Sequence, residues 1–156
     1  MKNKLLLILL LFFLLGTTNE PIKVESNSLK YFGEKKYSLF EGNVKAVYEK
    51  NQIFSDKMYV YMTDENKIDR IICEGSVKLI NDNITATAKR AEYDVNNNIL
   101  YLLNGVKVWQ DDNYLEGEQI TVYTKTNRIE VIKGKNKRVI VIFKPDENEN
   151  GETNVP

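Results

Sequence analysis

The residues able to do chemistry are few in this chain, and their spacing favours no reaction. The 156 residues include no histidine, which excludes a Ser-His-Asp or Cys-His arrangement and any histidine-ligated metal. The single cysteine, Cys73, follows two isoleucines. A thiol in such an apolar run is predicted to be a small buried side chain and not a reactive group. The chain offers no nucleophile motif, phosphate loop or cofactor fingerprint, and we predict no catalytic residue and no cofactor.

Three acidic clusters are the remaining candidates for a metal site. Asp64-Glu65, Asp111-Asp112 and Asp146-Glu147 bring carboxylates together, but they lack the regularly spaced oxygen ligands of a calcium loop. The first two lie where turns are needed and the third lies in a polar tail. No carboxylate pair stands apart from the turns, as an enzyme that cleaves glycans would require. We predict no metal site.

The charge balance argues against a nucleic-acid partner. Lysine and arginine number 22, and so do aspartate and glutamate. Loss of Lys2 and Lys4 with a cleaved N-terminus would leave a small acidic excess. Because binding to nucleic acid needs a basic face that neutralises phosphates, we predict no nucleic-acid partner.

The N-terminus has the pattern of a secretory signal. Residues 1–4 are basic, residues 5–15 are uninterruptedly apolar, and residues 16–18 are small. As a helix the apolar run would be about 16 Å long, against about 30 Å of bilayer hydrocarbon. We predict a cleaved signal peptide over residues 1–18 and export of the protein. A permanent anchor is the alternative.

The rest of the chain is built on an internal repeat. The sequence EGNVKAV at residues 41–47 returns 33 residues later as EGSVKLI at residues 74–80. It returns after a further 29 residues as NGVKV at residues 104–108. A fixed period of this kind indicates one supersecondary unit used several times. We interpret each unit as strand, polar turn and strand, with the Gly-Asn, Gly-Ser or Asn-Gly pair as a turn into the next unit.

From residue 21 onward the hydrophobic period is two, which predicts half-buried β-strands. Asn- and Asp-rich segments between them are typical of hairpin turns, because these residues tolerate left-handed backbone conformations. The turns are expected at residues 64–66, 81–83, 96–98, 111–113 and 125–127. The alternation places one set of side chains on the inner face: Ile22, Val24, Val44, Ala46, Met58, Val60, Val77, Leu79, Ala91, Tyr93, Val95, Val106, Val108, Ile120 and Val122. Periodicity alone leaves open whether they form a packed core or line a groove for acyl chains.

The two ends of the domain are predicted edge strands. One contains Ile22 and Val24, and the other contains Val139, Val141 and Phe143 in an apolar, mostly β-branched run. An exposed edge can pair with another chain, although the last strand can equally be covered within its own sheet. Residues 146–156 form a polar tail that is expected to be disordered.

The ordered set of segments resembles the LptA/OstA family, the periplasmic bridge components of lipopolysaccharide transport. The segments that carry the resemblance are EPIKVES at residues 20–26, FEGNV at 40–44, AEYD at 91–94, LNGVKV within 102–108, LEGEQIT at 115–121 and GKNKRV at 134–139, which runs on to Pro145. The resemblance covers residues 19–145.

The resemblance implies a V-shaped β-jellyroll, open along one side, that holds the acyl chains of lipid A. It also implies head-to-tail stacking into a bridge between inner- and outer-membrane transport components in the periplasm, without catalysis. Family lipid contacts match Ile22, Val24, Leu79, Tyr93 and Val95. With the inward alternation, the predicted lipid-binding residues are Ile22, Val24, Val44, Met58, Val60, Val77, Leu79, Tyr93, Val95, Val108 and Ile120.

Two other interpretations compete with this one. A membrane-anchored, LptC-like component of the same export system would have the same fold behind an uncleaved helix. A structural β-repeat protein would have a filled interior and no lipid cargo.

Overall fold

The computed structural model describes residues 20–145 as ten antiparallel strands in one open sheet. The strands are β1 (Lys23–Glu25), β2 (Ser28–Phe32), β3 (Tyr37–Tyr48), β4 (Asn51–Met62), β5 (Ile68–Asn81), β6 (Ile84–Asp94), β7 (Ile99–Gln110), β8 (Asn113–Tyr123), β9 (Arg128–Ile132) and β10 (Ile140–Ile142). The predicted all-β fold of antiparallel hairpins is confirmed. The predicted signal peptide and C-terminal tail lie outside the described residues.

The strands follow one another along the sheet in the order β1-β3-β4-β5-β6-β7-β8-β10. β2 pairs with β3 beyond the end of β1, and β9 pairs with β8 beyond the end of β10. Each edge of the sheet is therefore a strand in two pieces. The predicted turns lie at the junctions between strands, with Asn81 as the last residue of β5 and Asn113 as the first of β8. Asn66, Asp82, Asn98, Asp111 and Asn127 adopt positive φ at these turns. Two further turns, at residues 33–36 and 49–50, were not predicted, because Lys36 and Glu49 and not Asn or Asp adopt positive φ there.

The repeated glycine motifs are not turns, which corrects the sequence interpretation. Gly42-Asn43, Gly75-Ser76 and Asn104-Gly105 lie in the middle of β3, β5 and β7, where the strand register shifts. All six residues have positive φ, between 47° and 83°. Each pair inserts one extra residue into its strand, which makes a β-bulge that bends the strand. The repeat therefore marks one bend line across the sheet.

The bend line divides the sheet into two arms. The first arm contains residues 28–41, 57–74, 90–103 and 119–132, and the second contains residues 23–25, 44–55, 77–88, 106–117 and 140–142. Inward side chains of both arms form a single hydrophobic cluster. The arms therefore fold toward each other and enclose the core between them.

The bulges also explain how the inner face is kept across the bend. In β3, β5 and β7 the inward positions continue in steps of two, because the one extra residue of each bulge offsets the change of parity at the bend. In the unbulged strands they change parity, from Ser55 to Met58 in β4 and from Ala88 to Ala91 in β6. Residues that were predicted to point inward from a local apolar-polar-apolar pattern, such as Val77 and Leu79, are buried as expected. The buried residues that the alternation did not select include Ile84, Ala86, Ala88, Leu100, Leu102 and Leu115.

Candidate functional site

An apolar cavity of about 240 Å³ lies between the two arms at the β1 end of the sheet. Its walls come from both arms, and β1 forms its outer boundary. The principal lining residues are Ile22, Val24, Phe40, Ala46, Ile53, Met58, Val60, Met62, Ile68, Ile71, Cys73, Leu79, Ala91, Tyr93 and Leu100. Aliphatic and aromatic side chains dominate this surface, which suits a hydrocarbon ligand because such a ligand needs no specific polar partner.

The structure separates the predicted lipid-binding residues into two groups. Ile22, Val24, Met58, Val60, Leu79 and Tyr93 line the cavity. Val44, Val77, Val108 and Ile120 are at most 1% exposed and pack inside the core, while Val95 packs partly buried against it. The interior is thus open near β1. It is filled beside the bend, where Val44 and Val77 lie, and toward β8, where Val108 and Ile120 lie.

Several cavity residues were absent from the predicted lipid-binding set. Phe40, Ile53, Ile71 and Leu100 all line the cavity. Ile71 is followed by Ile72, which faces outward but is also buried. Because both residues are isoleucine, the sequence pattern does not indicate which of the two points inward. The pairing of Ile71 with Tyr93 across β5 and β6 resolves the direction, since directly paired residues share a face.

The polar groups at the cavity are neutral except for Glu92, whose carboxylate forms ion pairs with Arg70 and Arg90. Asn51 lines it, and its side-chain carbonyl accepts a 2.5 Å hydrogen bond from the Asn81 amide; both residues are buried. Burial raises the pKa of the Cys73 thiol to about 12, which keeps it protonated at physiological pH. Burial also raises the pKa of Tyr93. Cys73 is therefore the buried apolar side chain that was predicted.

Both edges of the sheet expose apolar side chains. Ile22 is 44% exposed, and Leu29 and Tyr31 beyond it are each 60% exposed. At the opposite edge, the exposed residues are Ile132 and the whole of residues 139–143, with Phe143 at 69%. Single exposed apolar residues are common, but contiguous ones at a sheet edge mark a surface suited to association.

The described part of the chain contains no group of three or more His, Cys, Asp or Glu residues placed to hold a metal ion. Asp146-Glu147 lie outside it. In residues 20–145 no helix is long and apolar enough to cross a membrane. The predictions that the protein has no cofactor and no enzymatic activity stay predictions.

The fold and the cavity define an open, two-armed β-sheet protein with an apolar interior and two unpaired edges. Residues 23–128 match the family described as LptA/(LptD N-terminal domain) LPS transport protein. The chain belongs to this family, as the sequence resemblance indicated.

Similar proteins agree with this assignment. The lipopolysaccharide export system protein LptA of Escherichia coli K12 is 25% identical, over 91% of this chain and 83% of its own length; the Shigella flexneri protein of the same name gives the same values. The crystal structure of LptH from Pseudomonas aeruginosa, the LptA-homologous periplasmic component of the lipopolysaccharide transport device, superposes with a TM-score of 0.69 at 16% identity. It covers 81% of this chain and 96% of that one. The structural likeness supports the jellyroll fold predicted from sequence.

Proposed function

We propose that this protein carries lipopolysaccharide across the periplasm, with the acyl chains of lipid A in the cavity between the arms. The observation that supports this proposal is the apolar, partly open cavity beside β1 in a chain of the LPS transport family. Each buried methylene contributes roughly 0.8 kcal/mol, and the sugars and phosphates remain in water at the opening. No bond is made or broken in this process.

We also propose that copies of the protein stack head to tail and connect inner- and outer-membrane components of the export system. β1 and β2 run antiparallel to β3, whereas β9 and β10 run antiparallel to β8. Since β3 and β8 themselves run in opposite directions along the meander, β10 of one copy would meet β1 of the next in antiparallel orientation. β9 would meet β2 in the same way.

This arrangement continues both arms at once. Alignment of the inward residues Val141 and Val24 would also bring Phe143 over Ile22, so that the apolar interior runs on from copy to copy. A twofold arrangement of two β10 strands would extend only the second arm, because it would point the first arms in opposite directions. Continuity of both arms therefore favours head-to-tail over head-to-head assembly.

Site-specific photocrosslinking in cells tests the cargo. Leu79 is 3% exposed and lines the cavity, while its neighbour Lys78 points outward. A photoreactive residue at position 79 is expected to form adducts with lipopolysaccharide, and one at position 78 is not. A third probe at Val108 tests the filled end of the interior, where adducts would require the arms to separate.

The absence of lipopolysaccharide adducts at positions 79 and 108 in folded, exported protein would overturn the proposed cargo. The protein would then be a structural β-repeat protein with a filled interior. Adducts at position 108 as well as 79 would extend the lipid site along the whole interior, to Val108 and Ile120. Mature protein that begins near residue 19 would exclude the membrane-anchored, LptC-like alternative.

A further inference from the structure

The outer face of the second arm carries three lysines at equivalent positions of the repeat. Lys45, Lys78 and Lys107 each follow the bulge by two residues and lie between buried inward neighbours. Val77 and Leu79 flank Lys78 at 1% and 3% exposure. Because side chains alternate along a strand, all three ammonium groups point away from the cavity.

Strand register aligns these lysines in one row. Lys45 pairs with Phe54 and Phe54 with Lys78; Lys78 pairs with Thr87, and Thr87 with Lys107. The lysines therefore stand on alternate strands, about 10 Å apart at a strand spacing of about 4.8 Å. Carboxylates pair with the lysines at both ends of the row: Glu25 of β1 pairs with Lys45, and Glu116 of β8 pairs with Lys107. The Glu116 carboxylate also accepts a hydrogen bond from the Tyr114 hydroxyl.

The charges of this row differ from those of the first arm. Among the described residues, the ion pairs involve none of these three lysines, and Lys45 instead lies 5.6 Å from the centroid of the Phe54 ring. On the first arm, by contrast, the equivalent row alternates in sign as Glu41, Lys57, Glu74 and Arg90. Lysines therefore outnumber carboxylates three to two along the row of the second arm, and Lys78 in its middle is paired with Phe54 and Thr87 and not with a carboxylate.

The neighbouring row on the same outer face is apolar and aromatic. Trp109 pairs with Tyr114 across β7 and β8, their ring centroids 5.5 Å apart, and Tyr114 pairs with Ile142 of β10. Trp109 is 39% exposed and Ile142 is 56% exposed. Tryptophan and tyrosine beside lysine are typical of surfaces that sit at a membrane–water boundary, with the rings at headgroup level and the ammonium groups on phosphates.

We propose that this outer face, defined by Lys45, Lys78, Lys107, Trp109, Tyr114 and Ile142, binds the surface of an anionic phospholipid bilayer. The lysine row contacts the lipid phosphates, and the aromatic row enters the headgroup region. This surface is separate from the cavity, since the two use opposite faces of the same strands. The inference therefore goes beyond the proposed cargo and does not depend on it.

Trp109 provides the measurement, because it is the single tryptophan of the chain. The full chain is titrated at low ionic strength with vesicles of phosphatidylglycerol or of phosphatidylcholine, and Trp109 emission is followed. Phosphatidylglycerol is expected to shift the emission to shorter wavelength, and brominated phosphatidylglycerol to quench it. Phosphatidylcholine is expected to leave the spectrum unchanged, even if residues 5–15 insert, because the readout is local to the outer face.

The matched variants separate the lysine row from general charge. K45Q/K78Q/K107Q is expected to weaken the phosphatidylglycerol response roughly 100-fold, since each lysine near an anionic surface contributes a factor of about five. K30Q/K35Q/K125Q removes the same charge from exposed lysines elsewhere and is expected to bind as the unaltered chain does. Circular dichroism checks that both variants are folded.

An unchanged Trp109 spectrum with phosphatidylglycerol would overturn the inference, as would equal weakening by the two triple variants. The cargo test is unaffected by either result, because crosslinking at position 79 reports on the cavity. A lost response in K45Q/K78Q/K107Q with lipopolysaccharide adducts intact at position 79 would support the membrane surface independently.

Discussion

At the scale of single residues, the glycines of the repeat act by conformation and by close approach. Gly75 and Gly105 both have positive φ, 79° and 73°. They differ in their surroundings. A Cβ on Gly75 would overlap the Asp56 side chain, with the Asp56 Cβ at 2.9 Å, whereas a Cβ on Gly105 would have no heavy atom within 4 Å. The glycine of the bulge pair is therefore constrained by conformation alone at Gly105, and by both conformation and close approach at Gly75.

The substitutions Gly75→Ala and Gly105→Ala measure this difference. Gly105→Ala is expected to lower the free energy of unfolding by roughly 1 kcal/mol, the cost of a left-handed backbone for alanine. Gly75→Ala adds steric overlap and is expected to cost roughly 2–3 kcal/mol. Urea unfolding of the two variants gives the comparison, and equal losses would mean that the approach of Asp56 has no energetic consequence.

At the scale of elements, the bend line is bordered by a ladder of alternating charge. Glu41 pairs with Lys57, Lys57 with Glu74, and Glu74 with Arg90 across four adjacent strands. The Lys57–Glu41 ion pair raises the pKa of Lys57, and Arg90 also contacts Glu92. Each pair lies on the outer face immediately before a bulge, where the strand pairing is interrupted. The ladder therefore connects the strands at the place where their backbone contacts are weakest.

A double-mutant cycle on Glu74 and Arg90 tests the ladder, with Glu74→Gln, Arg90→Gln and the double variant. Both side chains are partly covered, at 39% and 31% exposure. Their coupling free energy is expected to be about 0.5–1 kcal/mol and to fall as salt is added. The exposed pair Glu65 and Lys67, at 76% and 75%, is the control and is expected to couple less. Equal coupling in both cycles would contradict a special role for the ladder.

At the scale of the whole molecule, the sheet has two unpaired edges, and the strand directions at one edge are opposite to those at the other. One edge consists of β1 and β2, and the other of β9 and β10. Strand polarity allows the two edges of successive copies to join without a break in the antiparallel pattern. β10 is three residues long and exposed on both faces, so the assembly would bury apolar surface that a single copy leaves in water.

Truncation tests this assembly. A chain that ends at residue 138 lacks β10, and a chain that ends at residue 145 lacks only the tail. The shorter chain is expected to be monomeric, whereas the longer one is expected to associate as the full chain does, because edge pairing requires β10. Analytical ultracentrifugation gives the association state, and circular dichroism confirms folding. A folded chain ending at residue 138 that still self-associates would refute the edge-strand interface.

The sequence by itself determined the fold class, the hairpin turns and most of the inward residues. These properties are local: a period of two assigns Val77 and Leu79 to one face, and Asn or Asp at a turn supplies the left-handed backbone.

The tertiary structure alone decided that Gly42-Asn43 is a bulge and not a turn, because a short motif is compatible with both until the pairing of its flanking residues is known. It also decided where the interior is open, since Met58 and Val108 have the same pattern in sequence. Met58 lines the cavity and Val108 is fully buried, because packing depends on which residues of the opposite arm lie across the interior, and those residues are distant in the chain.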